Sequence, residues 1–359
     1  MQAAGSQRRP HRKDTSSTGV QTTVNPTSFT CFLVQKVPVQ KDAAGNLQRG
    51  VRERTLSDLP EGDVLVRVRF SSLNYKDALA AGAHPGVVRK LPHVPGIDAA
   101  GTVVESTSPK VQAGQEVVIT GYELGAGQWG GWAEYVRVPA DWVVPLPAGL
   151  SLKEAMILGT AGFTAAQSVH AIQLNGVNPE DGEIVVTGST GGVGCLAVRL
   201  LARLGYTVVA VTGKRELEPR LKAWGAARVI GREDVVRDSD KPLLAARWAG
   251  AVDCVGGQTL ATIVRETQSY GVVAACGLVG GIDLPLTVHP FILRGVTLAG
   301  IGSAGLPYDR RLEIWRKLSD LWRLDDLESL ATTIGLAQLE EYVQRILGGQ
   351  IVGRTVVEL

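Results

Sequence analysis

The sequence predicts an α/β architecture: a small, barrel-like β domain followed by a doubly wound parallel sheet. Three observations support it. The chain has 359 residues, enough for two domains at roughly 100–200 residues each. Its 45% hydrophobic content can fill a real core. The patterning also changes midway: short period-2 runs give way, from Ser151 on, to strands alternating with amphipathic helices.

In the first half, alternation begins over 30–37 and is strict over 63–70, DVLVRVRF. Further short strands are predicted at 101–105, 116–120, 133–138 and 142–144. Gly, Pro and Asp separate them, as tight turns require. Ser151 and Glu154 have capping-box spacing and open a helix that runs into the small-residue stretch GTAGFTAA. A strand over 183–188 then leads into a helix over 192–204. On that helix Val193, Leu196, Ala197, Leu200, Leu201 and Leu204 share one face, with Arg199 and Arg203 off it. Gly205 stands where a helix-ending glycine belongs. A strand over 207–212, a helix through Trp224 stopped by Gly225, and strands at 228–230, 251–255, 271–276 and 296–301 continue the βαβ series. After 301 the chain reads as helix and then a final strand, VGRTVVEL, able to pair back into the first domain. These patterns divide the chain at 1–29, 30–153, 154–300 and 301–359.

The net charge of +2 is unevenly spread. Residues 1–29 hold Arg8, Arg9, Arg12 and Lys13 against Asp14, whereas the rest carries 33 basic and 34 acidic residues. A near-neutral body points away from nucleic acid. The first 29 residues are rich in Ser, Thr, Gln and Pro, lack apolar periodicity and are expected to be disordered. They lack the apolar core of a secretory signal, and their scarcity of acids leaves an organelle transit peptide open beside a species-specific tail. No apolar run reaches the roughly 18–20 residues that span a membrane. Cys31, Cys195, Cys254 and Cys276 are widely spaced, and three lie in apolar stretches. That pattern fits free thiols in a reducing cytoplasm rather than a disulfide framework.

The strongest motif is TGSTGGVG over 187–194. Gly188, Gly191 and Gly194 follow a strand and open an amphipathic helix, the context a dinucleotide fingerprint needs. Glycines let the backbone approach a pyrophosphate, and the helix N-terminus presents unpaired N–H groups. A bare βα turn is the bland alternative. Folds selective for NAD place an acid at the end of the second strand, for the ribose 2′-hydroxyl. Here that strand ends in VTGKR, without an acid. Lys214 takes its neighbourhood and Arg232 follows the next strand, so either they hold the 2′-phosphate of NADPH or they are ordinary solvated charges.

No C-x-x-C pair is present, and His11, His84, His93, His170 and His289 form no close ligand set. Neither structural nor catalytic zinc is expected.

Eight segments in order carry a closer likeness: SSLNYKDAL (71–79), VPGIDAAGTV (94–103), WGGWAEYVRV (129–138), ILGTAGFTA (157–165), VVTGSTGGVG (185–194), RWAGAVDCVGG (247–257), VVAACGLVGG (272–281) and PFILRGVTLAGI (290–301). From about residue 31 onward the chain resembles the zinc-free acrylyl-coenzyme A reductases, often labelled quinone oxidoreductases, of the medium-chain dehydrogenase/reductase superfamily. The resemblance implies a GroES-like catalytic domain, a Rossmann domain, a homodimer and NADPH-dependent reduction of acrylyl-CoA to propionyl-CoA. It implies that Tyr75 lies beside the nicotinamide, that Thr190, Gly191, Gly192 and Val193 belong to the phosphate loop, and that Thr212, Gly213 and Lys214 form the adenosine-phosphate turn with Arg232. Many relatives have Arg where this chain has Lys214, so a cation is kept without the bidentate fork. Leu278, Ile292, Ser303 and Arg354 match positions lining the rest of the groove. Zinc-dependent relatives carry a metal-binding Cys in the first-domain motif; here the motif is Asn74-Tyr75-Lys76-Asp77.

The expected chemistry is hydride delivery to the β-carbon of an enoyl thioester, with protonation of the α-carbon. Tyr75 is the candidate donor, positioned by Asn74 and Asp77; packing against the nicotinamide is its alternative. Arg89, Lys90, Arg294, Arg310 and Arg311 are candidates for the phosphates of coenzyme A. A quinone or enone reductase and a non-enzymatic NADPH binder are the other function classes.

Overall fold

Alternating runs of the first half pair into antiparallel sheet. A computed structural model describes residues 27–359 apart from 40, 41, 238 and 239; most of the 1–29 segment thus lies outside the described residues. The first strands are β1 (Ser28–Val39), β2 (Asp42–Thr55) and β3 (Val64–Ser72), followed by helix α1 (Tyr75–Ala81). Next come β4 (Asp98–Ser106), β5 (Glu116–Thr120), β6 (Tyr135–Val138) and β7 (Val144–Pro145). Period-2 alternation turns Val64, Val66 and Val68 of β3 onto Val117, Ile119, Val136 and Val138, which form one buried cluster. Two local expectations are corrected. The strand predicted at 142–144 is displaced: Ala140–Trp142 forms a 3₁₀ turn and the strand, β7, begins at Val144. Strand β2, which sequence patterning missed, pairs with β1 as a hairpin; Leu47 and Val51 are exposed on it, so no alternating core face marked it.

Helix α2 (Leu152–Leu174) begins at the anticipated capping box: Ser151 N–H donates to Glu154 Oε2 (2.8 Å) and Glu154 N–H to Ser151 Oγ (3.2 Å). Its residues from Ala155 to Val169 are almost all buried, because it is packed by β3, β4 and β5 on one side and by the second sheet on the other. The second half then runs β8 (Glu183–Val186), α3 (Gly192–Arg203), β9 (Thr207–Val211), α4 (Glu218–Ala223), β10 (Arg228–Ile230), β11 (Trp248–Asp253), α5 (Gly257–Glu266), β12 (Thr267–Ala275), α6 (His289–Arg294) and β13 (Thr297–Gly300). These strands form a parallel sheet in the order β10-β9-β8-β11-β12-β13. The order reverses between β8 and β11, and a ligand crevice opens outside the carboxyl ends of the strands at such a point.

The last segment is more elaborate than helix plus strand. It contains α7 (Tyr308–Ser319), β14 (Ala331–Gly335), α8 (Leu339–Leu347) and β15 (Arg354–Glu358). Strand β15 pairs antiparallel with β3 and parallel with β14, inside the first sheet. Among the described residues no helix is long and apolar enough to cross a membrane.

Candidate cofactor and active site

The loop between β8 and α3 lies at the reversal point. Gly188 adopts φ +60, a conformation that favours glycine. A Cβ on Gly194 would collide with the Gly188 carbonyl, so only glycine lets α3 pack this closely on the strand end. The loop is fixed from its neighbours: Ser189 Oγ donates to Val186 O (2.7 Å) and accepts from Val211 N–H (2.9 Å). Thr187 Oγ1 donates to Asp253 Oδ1 (2.7 Å), and Gly353 N–H donates to Thr190 O (2.9 Å). Gly191 caps α3, leaving the first-turn N–H groups of Gly192, Val193 and Gly194 without carbonyls inside the helix. Such a rigid ring of donors fits a pyrophosphate.

At the end of β9, Lys214 N–H donates to Thr212 Oγ1 (3.0 Å), which sets the turn. The Lys214 ammonium is half-buried and donates to Ile351 O (3.3 Å). Burial lowers its pKa, as does the charge of Arg232. The Arg232 guanidinium packs over Gly213, where a Cβ would lie 2.8 Å from Nε. Among the described residues neither cation forms an ion pair. Two adjacent cations without an ion-pair partner, with only the more distant Glu216 carboxylate acting on Lys214, are suited to a dianionic phosphate.

The Asn74–Asp77 motif forms the N-terminus of α1. Tyr75 occupies its first turn and is 44% exposed, so its ring faces open space. Asp77 is fully buried. Its Oδ2 accepts from Asn74 N–H (2.8 Å) and Asn74 Nδ2 (3.1 Å), its Oδ1 from the N–H groups of Ile97 (2.7 Å) and Gly96 (3.2 Å). Burial and the nearby Asp98 push this carboxyl up to about 7, against the pull of those donors. Asp77 thus ties α1 to the 96–97 turn rather than facing a substrate.

Asp98 was not among the sequence candidates. It is buried and accepts from Ser72 Oγ (2.5 Å), Asn74 Nδ2 (2.8 Å), Thr160 N–H (3.0 Å) and Thr160 Oγ1 (2.6 Å). Helix α2 is kinked at Gly159 (φ 50) to reach it, and a Cβ there would sit 2.6 Å from Asp98 Oδ2. Both residues stand inside motifs quoted above, but only folding brings them together.

Arg354 is 2% exposed, so it does not line an open groove as a free cation. Its Nε donates to Ile157 O (2.7 Å) and its Nη1 to Asn74 Oδ1 (3.2 Å), while a Cβ on Gly192 would lie 3.0 Å from Nη1. It therefore bridges the Asn74 motif and the glycine loop from beneath. Leu278 and Ile292 are exposed, at 66% and 73%, and the Ser303 carbonyl accepts from Arg311 Nη2 (3.2 Å). Two coenzyme A candidates are corrected. Arg311 is fully buried, with Nη1 donating to Thr120 O and its guanidinium over the Tyr122 ring. Arg294 donates to Arg265 O, Thr267 O and Leu244 O. Arg89, Lys90 and Arg310 remain exposed, Arg89 with Glu123 at 3.6 Å.

A mixed β domain joined through Arg354 to the glycine loop of a doubly wound parallel sheet defines a two-domain dinucleotide-binding fold. Family models agree with both halves: the alcohol dehydrogenase GroES-like domain matches residues 60–148, and the zinc-binding dehydrogenase domain matches 192–321. Among the described residues no three His, Cys, Asp or Glu side chains converge as metal ligands, so these residues do not fit zinc. The acrylyl-CoA reductase AcuI of Ruegeria pomeroyi is 45% identical over 89% of this chain and 98% of its own. A Bacillus subtilis protein named for quinone oxidoreduction, YhfP, is 47% identical over 91% and 99%. The solved structure of Escherichia coli YhdH with bound NADPH superposes with TM-score 0.86 at 46% identity, over 91% and 99% of the two chains. This chain belongs to the acrylyl-CoA reductase and quinone oxidoreductase family of the medium-chain dehydrogenases/reductases.

Proposed function

We propose that this protein reduces the C=C bond of an enoyl thioester with NADPH, acrylyl-CoA to propionyl-CoA being the leading pair. The observation that carries this reading is the bridge through Arg354, which joins the glycine loop to the helix bearing exposed Tyr75. When bound, NADPH supplies the hydride. The first-turn amides of α3 would hold its pyrophosphate, with Lys214 and Arg232 at its 2′-phosphate. Tyr75 would donate a proton toward the substrate's α-carbon, and the Asn74–Asp77–Asp98 cluster would keep Tyr75 at the mouth of the crevice. A second reading, reduction of quinones, is favoured by the likeness to YhfP.

The two are separated by following NADPH consumption with acrylyl-CoA and with 1,4-benzoquinone. Turnover of acrylyl-CoA is expected; turnover of the quinone alone would overturn the first reading. Tyr75→Phe should lower kcat roughly 10²-fold, the lower range for a lost general acid. Near-normal kcat would remove Tyr75 from that role.

Association into a homodimer is part of the same proposal. Strand β13 is the last of its sheet and is paired on one side among the described residues. Such an unpaired strand edge invites pairing with a second copy, and Ile292 on α6, which packs on β12, is exposed nearby in the chain. A cytoplasmic setting would keep the four thiols reduced.

A further inference from the structure

Two cysteines that the sequence keeps 22 residues apart meet in the fold. Cys254 and Cys276 each follow the last residue of adjacent parallel strands, one step beyond the Asp253–Ala275 pair of β11 and β12. Their Sγ atoms lie 3.7 Å apart. Neighbouring strands run about 4.8 Å apart, within the Cα separation a disulfide spans. Both residues are half-buried, whereas Cys31 and Cys195 are buried. The pair stands beside the glycine loop: a Cβ on Gly188 would lie 3.4 Å from Cys254 Cβ, and Cys254 N–H donates to Thr187 Oγ1 (2.9 Å). The Cys276 thiol is held by Asp253 O (3.3 Å).

We propose that Cys254 and Cys276 are a redox-responsive dithiol at the dinucleotide crevice, and that its oxidation to a disulfide by a peroxide weakens dinucleotide binding. The inference rests on reading this crevice as the NADPH site. One thiolate attacks a peroxide oxygen, breaking the O–O bond to give a sulfenic acid and water or an alcohol. The second thiol then displaces the sulfenic oxygen as water, forming the S–S bond. Two thiols lose two electrons and two protons, and the peroxide takes up both. Hydrogen bonding to Cys276 and burial hold the Cys254 thiol well above its ordinary pKa, so Cys254 acts as the second, resolving thiol rather than as the attacking thiolate.

Bond formation must bring the sulfurs from 3.7 Å to about 2.05 Å. The surrounding backbone has little slack for that. A Cβ on Gly277 would collide with the Cys254 carbonyl, and one on Gly256 would lie 2.8 Å from Gly281 O and 2.9 Å from Gly277 O. Segments 254–257 and 276–281 are therefore interlocked, and drawing the sulfurs together shifts one of them against Gly188 or Leu278.

The test treats full-length protein with hydrogen peroxide, maps disulfides on non-reduced peptides and titrates NADPH by fluorescence. A Cys254–Cys276 cross-link should appear, the Kd for NADPH should rise about tenfold, and dithiothreitol should reverse both. Saturating NADPH should slow the cross-link by the same linkage. Cys276→Ser, and separately Cys254→Ser, should bind NADPH as the parent does and ignore peroxide. No cross-link, an unchanged Kd in cross-linked protein, or a peroxide effect that persists in both variants would overturn the proposal. These readouts need no acyl substrate: a switch seen in protein that fails to reduce acrylyl-CoA supports the dithiol and removes only the substrate reading.

Discussion

Lys214 and His93 show how much a single side chain decides. Lys214 and Arg232 stand together at the end of β9 without ion-pair partners among the described residues. Lys214→Ala should raise the KM for NADPH about tenfold, the loss of one charge-assisted contact of about 1.5 kcal/mol, and leave NADH kinetics unchanged. An equal loss with NADH would refute 2′-phosphate recognition. His93 is buried, its Nε2 paired with Gly125 O (3.0 Å), and burial lowers its pKa below the usual 6.5. The folded state thus binds this proton less readily than the unfolded chain. Its contribution is present above pH 6.5 and is lost as pH falls below it. Urea midpoints of the parent should drop more steeply between about pH 6.5 and 5 than those of His93→Gln; parallel slopes would exclude His93 as the cause. The sequence motifs led directly to Lys214 and Gly188, because strand, turn and charge are contiguous there. Asp98 was hidden. Its partners Ser72 and Thr160 are remote in the chain, and the Gly159 kink that joins them has no local signature.

Elements were legible where they bury one face. Strand β3 and helix α3 fall within two residues of expectation because alternation and heptad-like spacing survive in a half-buried element. Hairpin strand β2 escaped notice because polar residues occupy both of its faces, and short α1 because three of its seven residues are alanine. The β8–α3 turn gives the sharpest element-scale prediction. Gly194→Ala places a methyl against the Gly188 carbonyl, so α3 must retreat from the strand end. NADPH affinity should fall more than tenfold and stability by about 2 kcal/mol, as overpacking predicts. Unchanged values in a fluorescence titration and a thermal melt would mean that the loop is looser than its geometry indicates.

At the scale of the molecule, the doubly wound sheet was legible from the βαβ order, and its reversal point located the crevice. The course of residues 302–359 was not, since α8 packs on α1 of the first domain and β14 pairs with β15, which is itself held by β3. Assembly belongs to this scale too. Ile301 N–H donates to Ala275 O, so the N–H of Gly300 points outward from β13 by strand alternation. Gly300→Pro should remove that donor at the open edge. If the parent is the dimer proposed above, sedimentation velocity should show it as such and the variant as monomers; a dimer that survives would place the interface elsewhere.

Strand β15 lies between β14 and β3 and holds the last regular residues of the chain, Arg354–Glu358. On the ribosome, the first domain therefore emerges without the strand that completes its sheet. Its edge at β3 stays open until β15 has been made, and Arg354 cannot seal the domain junction before then. Contacts spanning about 280 residues raise the chain's contact order and slow its final step. The parallel sheet can therefore form before the first sheet is complete, and the open edge of the first domain must be shielded from aggregation until β15 arrives.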